Sequence, residues 1–412
     1  MRFKRLKFFS IFLIIFTIIL SFFNISFAED ALPIVNSEAA ILIDSSSSNV
    51  LYGKNEEQKM YPASITKIMT AIITIENGNL NDVVTVPYEA INSIPAGYSI
   101  ADLKTNEKIT VNQLLQVLMV HSANDAANVL AFYISGSIEE FANLMNKKAE
   151  DLLLTNTHFT NPSGMHDENH YTTAKDIAIL MKYCMENVTF RRLASLTSCT
   201  IPQTNMSPSK TFANTNHLLL NGAGDDYYQY AIAGKTGFTT EAGNCLVSVA
   251  SKDDLELICV VLGFRQTPNV TGNKFIDSKN IFEYGYNNFE EKTFIEQGAT
   301  VSSIDIPNAT EETKSLDLVV ESNVSCLVNK SFIENNDIEP RIDLNENLIA
   351  PISQGQVVGK IVYNIDGVEY FSNLLASKSV IPSNSTALFF EILALVIILI
   401  ILIKLLLHKK HV

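Results

Sequence analysis

The stretch from Tyr61 to Ile73 (Tyr61-Pro62-Ala63-Ser64-Ile65-Thr66-Lys67-Ile68-Met69-Thr70-Ala71-Ile72-Ile73) constrains this chain more than any other. Its apolar residues fall on nearly every side of a helical turn, so the helix is buried rather than laid on a surface. A helix of that kind needs packed layers around it. Lys67 lies inside it, and burial of an unpaired lysine favours the neutral amine. Ser64 comes three residues earlier, on the same face and in the first turn. Unpaired backbone N–H groups and the positive end of the helix dipole favour developing negative charge there. A neutral amine beside a hydroxyl is a competent general base for a serine nucleophile.

Two further groupings follow in order. Ser122-Ala123-Asn124 separates the apolar pattern Leu114 to Val120 from a new helical run starting at Asp125. Two polar side chains two apart in such a loop can share a cleft, Ser122 passing a proton and Asn124 binding an amide. Lys235-Thr236-Gly237 ends the strand-like run Ala231-Ile232-Ala233-Gly234. A strand edge there can pair with an extended peptide. Lys235 and the Thr236 hydroxyl suit its terminal carboxylate, and Gly237 leaves room for close backbone approach. The backbone N–H groups of Ser64 and Phe238 form the natural oxyanion pair. A lone S-x-x-K means little: Ser207-Pro208-Ser209-Lys210 repeats it in a stretch that cannot hold a helical turn. His166 and His170 have zinc-like spacing, but the turn before them and the lack of apolar periodicity argue for solvated or structural histidines.

The termini are targeting signals. Arg2, Lys4, Arg5 and Lys7 precede the apolar run Phe8 to Phe23 and the small-residue box Ser26-Phe27-Ala28, the plan of a signal peptide over residues 1–28. Residues 387–407 are about twenty apolar residues, long enough to span a bilayer as one helix. His408-Lys409-Lys410-His411 is the basic flank that stays cytoplasmic. The catalytic part is therefore expected outside a cell membrane, single-pass. A formal charge of −14 argues against nucleic acid as a partner. Cys184, Cys199, Cys245, Cys259 and Cys326 are odd in number without motif spacing, and Cys245 and Cys259 read as small core residues.

Between the termini two domains are expected. Residues 34–288 open with a hairpin (Ala39 to Ile43, Val50 to Tyr52), pass through helical patterns including a capping box at Thr110-Val111-Asn112-Gln113, and return to strands at Tyr230 to Ala233, Cys245 to Ala250 and Leu257 to Leu262. A helix over Ile281 to Phe289 closes the region. This order predicts an α+β domain: one antiparallel sheet built from both ends of the region, with a helical insert. Residues 293–380 alternate short β-branched runs with Asn, Asp, Gly and Pro, and predict a small all-β sandwich that acts as a spacer.

These residues resemble one family over about residues 34 to 380. Tyr61 to Thr70, His121 to Ala127, Asn156 to Gly164, His170 to Asp176 and Gly234-Lys235-Thr236-Gly237-Phe238-Thr239 are similar to the low-molecular-mass penicillin-binding proteins that act as serine-type D-alanyl-D-alanine carboxypeptidases. The resemblance implies a β-lactamase/transpeptidase-like domain, the β-rich module and the C-terminal anchor. It implies acylation of Ser64 by a peptidoglycan stem peptide ending in D-Ala-D-Ala, release of D-alanine and hydrolysis, with β-lactams as inhibitors and no cofactor or metal. By match, Ser64 is the nucleophile and Lys67 the base, and Ser122 and Asn124 complete the centre. Lys235, Thr236, Gly237, Phe238 and Thr239 bind substrate, and Asp176 braces structure. Two positions depart from the pattern: Phe238 replaces a polar residue, and Lys274-Phe275 stands where relatives carry Arg-Phe. A lysine lacks arginine's bidentate fork. A class A β-lactamase would need an E-x-x-x-N loop that is absent here, an endopeptidase would use the same residues, and a silent wall-binding scaffold would not need Ser64 and Lys67 intact.

Overall fold

The computed structural model describes residues 32–92, 94–268, 271–383 and 393–401. The hairpin β1 (Ala39–Asp44) and β2 (Val50–Lys54) opens the first region and leads through a 3₁₀ turn (Ala63–Thr66) into α1 (Lys67–Asn77). The helical insert adds α2 (Tyr88–Asn92), α3 (Val111–Val120), α4 (Asn124–Ser135), α5 (Ile138–Asp151), α6 (Ala174–Glu186) and α7 (Val188–Ala194). Two small antiparallel strand pairs, β3 (Val83–Thr85) with β4 (Lys108–Thr110) and β5 (Ser198–Ile201) with β6 (Lys210–Ala213), flank it. The chain then returns as β7 (Ala231–Thr239), β8 (Gly243–Lys252) and β9 (Leu255–Phe264), followed by α8 (Lys274–Asn288).

The five long strands form one antiparallel sheet in the order β2-β1-β9-β8-β7. Both faces are covered, and the period-2 alternation of side chains divides each strand between two cores. Ile41, Ile43, Ile258, Val260 and Leu262 point into the helical insert, where α1 is enclosed on all sides. Ala40, Leu42, Leu257, Cys259 and Val261 point the other way, against Phe275, Ile281, Phe282 and Tyr286 of α8. Burying one such Ile or Phe is worth roughly 1.5–3 kcal/mol, so α1 is among the most firmly held elements of the fold. Thr110 starts α3 with the full capping box: its hydroxyl accepts from Gln113 N–H while the Gln113 side chain accepts from Thr110 N–H.

The closing helix begins earlier than its apolar pattern suggests. It starts at Lys274, not near Ile281, with Asn273 as N-cap. Its first turns carry the buried Asp277, whose Oδ2 accepts from Ser37 N–H, Ser37 Oγ and Asn36 N–H. A buried carboxylate occupies a core position there and hides the helical period.

From Phe289 the chain forms β10 (Phe289–Ile295), β11 (Thr300–Asp305), β12 (Ser315–Val320), β13 (Val324–Asn329), β14 (Arg341–Leu344), β15 (Val357–Ile365) and β16 (Val368–Ala376), with one short helix, α9 (Lys330–Asn335). A two-stranded sheet (β10-β13) and a five-stranded sheet (β11-β12-β16-β15-β14) enclose a separate core around Leu316, Leu318, Val358, Ile361 and Leu374. The five cysteines are free and buried; Cys245 and Cys259 are core residues on neighbouring strands, without a bridge.

The signal-peptide reading, residues 1–28, lies outside the described residues. Of the anchor at 387–407 only 393–401 is described, as helix with exposed apolar side chains. Among the described residues no helix is long and apolar enough to cross a membrane.

Candidate active site

Ser64 does not sit inside a regular α-helix but on the 3₁₀ turn that feeds it. Ala63 takes a positive φ of 47°, and Ile65 N–H donates to Pro62 O at 3.2 Å. The turn leaves Ser64 half-buried at the cleft while Lys67, three residues on, is fully buried. Lys67 Nζ lies 2.8 Å from Ser64 Oγ, 2.8 Å from Asn124 Oδ1 and 2.6 Å from the backbone carbonyl of Ser163. A neutral amine has two hydrogens and one lone pair. The two carbonyl oxygens can only accept, so they take the two hydrogens and leave the lone pair to the Ser64 hydroxyl.

The electrostatics favour that neutral state. Burial pushes the Lys67 pKa well below its ordinary value of 10.5, and the charge of Lys235 adds to this while Asp125 opposes it. Asp125 is engaged elsewhere, its carboxylate accepting from Ala101 N–H at 2.9 Å and Leu103 N–H at 3.0 Å. Among the described residues no ion pair holds Lys67, Lys235 or Lys274.

Ser122 and Asn124 arrive from the junction of α3 and α4. Ser122 is nearly buried and holds a left-handed backbone (φ 62°), which sharply reverses the chain between the two helices. Asn124 is the first residue of α4 rather than part of the loop. Its Nδ2 donates to Ser99 O at 3.0 Å, which fixes the amide so that Oδ1 faces Lys67.

Lys235, Thr236 and Gly237 lie within β7, the outermost strand of the sheet, whose free edge faces the cleft. Lys235 Nζ donates to Ser122 Oγ and Thr236 O, both at 2.9 Å. Burial, with the charge of Lys274, lowers its pKa to about 7. A Cβ on Gly237 would stand 2.8 Å from Pro62 O and 3.2 Å from Ser64 N, so only glycine lets the strand press against the turn that carries Ser64. Phe238 is 61% exposed beside the cleft. Thr239 Oγ1 accepts from Ala242 N–H at 3.0 Å and keeps its own hydrogen to donate. Lys274 lines the cleft and donates to Asn244 Oδ1 at 3.1 Å.

The cleft has a volume of about 500 Å³ and brings Ser64, Ser122, Asn124, Thr236, Phe238 and Lys274 to one surface. Sequence reasoning missed the Ser163 carbonyl. The loop carrying it is organised by Asn161, whose Oδ1 accepts from the N–H groups of Ser163, Gly164 and Met165. Gly164 (φ 80°) packs against Ala63 so closely that a Cβ would lie 1.8 Å from Ala63 O. The Asn-Pro-Ser-Gly turn was visible in the sequence; that its backbone carbonyl holds a lysine carries no side-chain signal.

The remaining singled-out residues are placed away from the chemistry. His170 is buried, with Nε2 2.8 Å from Thr66 Oγ1 and Nδ1 accepting from Thr160 N–H, and burial lowers its pKa to about 3. His166 packs edge-on to Tyr61. Asp176 accepts from Asn156 N–H and Thr157 Oγ1, a brace. Lys210 donates to the carbonyls of Ala101 and Asp102, far from a serine base role.

Residues 26–266 match the family described as D-alanyl-D-alanine carboxypeptidase, and residues 289–382 match the penicillin-binding protein 5 C-terminal domain. The chain is 32% identical over 352 residues to the D-alanyl-D-alanine carboxypeptidase DacF of Bacillus subtilis, covering 83% of this chain and 85% of that one. It is 30% identical over 377 residues to the D-alanyl-D-alanine carboxypeptidase DacA of Haemophilus influenzae, covering 86% and 88%. Among solved structures, penicillin-binding protein 5 from Haemophilus influenzae superposes with a TM-score of 0.66 at 28% identity, over 85% of this chain and 99% of that one.

Proposed function

The chain belongs to the D-alanyl-D-alanine carboxypeptidase family, and from that membership we propose how its residues divide the work. It is a serine-type hydrolase that removes the terminal D-alanine from peptides ending in D-Ala-D-Ala, with a penicillin-binding protein fold and a C-terminal β domain. The observation that supports this division best is Lys67, fully buried, whose hydrogen-bond partners among the described residues are Ser64 Oγ and two carbonyl oxygens.

Ser64 Oγ attacks the carbonyl of the penultimate D-alanine as its proton passes to Lys67 Nζ. The oxyanion forms against the backbone N–H groups of Ser64 and Phe238, which Gly237 brings together. Lys67 returns the proton through Ser122 to the departing amine nitrogen, the C–N bond breaks, and D-alanine leaves. The Ser64 ester remains until water, deprotonated by the same lysine, releases the shortened peptide. Lys235, Thr236 and Thr239, with Lys274 beside them, hold the terminal carboxylate, and Asn124 orients the substrate amide. A β-lactam enters by the same route, its strained amide opening onto Ser64. The substrate is a peptidoglycan stem peptide, and the leader read from the sequence up to Ala28 and the apolar stretch at 387–407 support a catalytic region on the extracytoplasmic side of a cell membrane.

The test is D-alanine release by the purified full-length chain from a peptide ending in D-Ala-D-Ala, beside Ser64→Ala. Release that vanishes in the variant supports the assignment. A well-folded chain that releases nothing, or a variant that still releases D-alanine, refutes it.

A further inference from the structure

The amide of Asn124 is set by a carbonyl on a segment that has little packing behind it. Ser99 O accepts from Asn124 N–H at 2.9 Å and from Asn124 Nδ2 at 3.0 Å. Ser99 Oγ adds one bond, donating to His121 O at 2.8 Å. Residues 96–99 line the cleft, but a second cavity of about 290 Å³ opens behind them, walled by Tyr88, Ile91, Ile100, Leu103 and Asp125. Tyr98 and Ile100 are exposed. Apolar contact therefore does not pin this segment, and its place depends on hydrogen bonds.

Two charged side chains supply those bonds, and they use opposite groups of the backbone. Asp125, buried in the first turn of α4, accepts from Ala101 N–H at 2.9 Å through Oδ1 and from Leu103 N–H at 3.0 Å through Oδ2. Lys210, half-buried at the start of β6, donates Nζ to Ala101 O at 3.0 Å and to Asp102 O at 2.9 Å. A carboxylate thus grips the N–H groups of residues 101–103 and an ammonium grips their carbonyls, all through charge-assisted bonds. Between them Asp102 is held at a left-handed φ of 58°, a conformation that persists only where its surroundings impose it. Ser99 is two residues from Ala101, so the grip reaches Asn124 through one short stretch of backbone. Neither Asp125 nor Lys210 lines the cleft itself.

We propose that Asp125 and Lys210 are positioning residues for acylation: by gripping residues 101–103 they fix the Ser99 carbonyl on which the Asn124 amide is aligned. The inference rests on the carboxypeptidase reading, which makes Ser64, Lys67 and Asn124 the groups being aligned. An asparagine cannot stand in for Asp125, because an amide accepts at one end only and its NH₂ would face a backbone N–H, donor against donor. A methionine at position 210 keeps the length of the side chain and removes the donors. The Asp125 charge has a second, separable effect. The titratable groups facing Lys67 are Lys235 from β7, Asp125 from α4 and His170 from the loop before α6, the last neutral with a pKa lowered to about 3. Burial and Lys235 lower the Lys67 pKa, and Asp125 opposes them. Removing the Asp125 charge lets Lys67 lose its proton at lower pH, so the acid limb of acylation moves down. A segment that merely loosened would admit water, ease the burial of Lys67 and move that limb up.

The test times acylation by a fluorescent penicillin on the purified full-length chain across pH, beside D-alanine release and a thermal melt. Asp125→Asn slows acylation on the pH plateau about tenfold or more, towards the roughly 100-fold of a 1 Å misplacement, and its acid limb moves to lower pH. Lys210→Met slows it about two- to tenfold, the size of one lost hydrogen bond, and tests the grip even where Asp125→Asn does not fold. In an Asn124→Ala background neither change slows the plateau rate further by more than about twofold, because the group they align is gone. Asp44→Asn is the control. Asp44 is also a buried carboxylate gripping loop N–H groups, those of Ser46 and Ser47 at the end of β1, and its variant acylates at the ordinary rate. An ordinary rate in either Asp125→Asn or Lys210→Met once folded, equal slowing in Asp44→Asn, undiminished losses in the Asn124→Ala background, or an acid limb that moves up overturns the proposal. An unaltered chain that neither takes up penicillin nor releases D-alanine overturns the carboxypeptidase reading first and this one with it.

Discussion

Replacing Gly164 by alanine tests whether the loop carrying Ser163 sets the reactivity of Ser64. Gly164 has φ 80°, and an alanine there bears about 1–2 kcal/mol from the left-handed backbone. The larger effect is steric. The new Cβ would lie 1.8 Å from Ala63 O, and real Cβ contacts essentially never fall below 3.0 Å, so the two backbones must part by about 1.2 Å. That movement takes the Ser163 carbonyl away from Lys67 Nζ, now 2.6 Å off, or displaces the turn under Ser64. Losing one acceptor from a buried amine adds about 1–3 kcal/mol. Displacement of reacting groups by about 1 Å lowers rates about 100-fold. Acylation by a fluorescent penicillin, followed in time well below the melting temperature, reads the rate; a thermal melt reads the stability. Gly136→Ala is the control, since Gly136 has φ 81° with open space around its would-be Cβ. It should lose the backbone part of the stability and acylate at the ordinary rate. Acylation of Gly164→Ala within twofold of the unaltered chain, with a melt matching Gly136→Ala, would refute the reasoning.

Ser122→Gly sets two effects on stability against each other, relief of the left-handed backbone by about 1 kcal/mol and loss of an acceptor from the buried Lys235 amine at about 1–3 kcal/mol, so the fold gains nothing while acylation slows for want of the hydroxyl that Lys235 holds. A raised melting temperature with undiminished acylation would contradict a proton-relay role. Lys235, with its pKa lowered to about 7 from 10.5, makes both pH profiles informative. Below about pH 7 it is protonated folded and unfolded and the fold bears the full burial penalty. As pH rises from about 7 towards 10.5 the unfolded chain holds more protons, so its contribution to stability rises. Loss of its charge over the same range weakens carboxylate binding, so kcat/KM falls on the alkaline side. Lys274→Ala removes a neighbouring positive charge and should move that alkaline limb to higher pH; an unmoved limb would show that the Lys274 charge does not act on Lys235.

The grouping of side chains at the cleft was legible wherever those side chains stand within short motifs. Ser64 and Lys67 announce themselves because a lysine three residues from a serine stands in an otherwise apolar helix, and Lys235-Thr236-Gly237 because a strand pattern runs into it. The Thr110–Gln113 capping box and the strands at β8 and β9 were equally plain, since both follow from local periodicity. Legibility failed where a polar group is buried or a backbone atom acts. Asp277 masks the first turns of α8 because its bonds to Ser37 and Asn36 come from the far end of the region. The Ser163 carbonyl has no residue signature at all. Strand β10, with Glu290, Glu291 and Lys292 in succession, lacks the apolar alternation that marks its neighbours, and its pairing with β13 is what reveals it.

The pairing of β1 with β9 also sets when this chain can first react. Residues 39–44 find their partners only at 257–262, so the sheet closes one of the longest loops in the region. Contacts that distant are made late, because the entropy of closing the loop comes before any reward. Ser64 is synthesised early, yet it lacks Ser122, the Ser163 carbonyl and the β7 edge until nearly the whole first region has emerged and folded. A nascent chain that has not yet made β7 to β9 is therefore expected to be inert towards β-lactams even with its serine and lysine in place. Covalent capture by a labelled penicillin, applied as a pulse during refolding, dates the closure of the sheet itself.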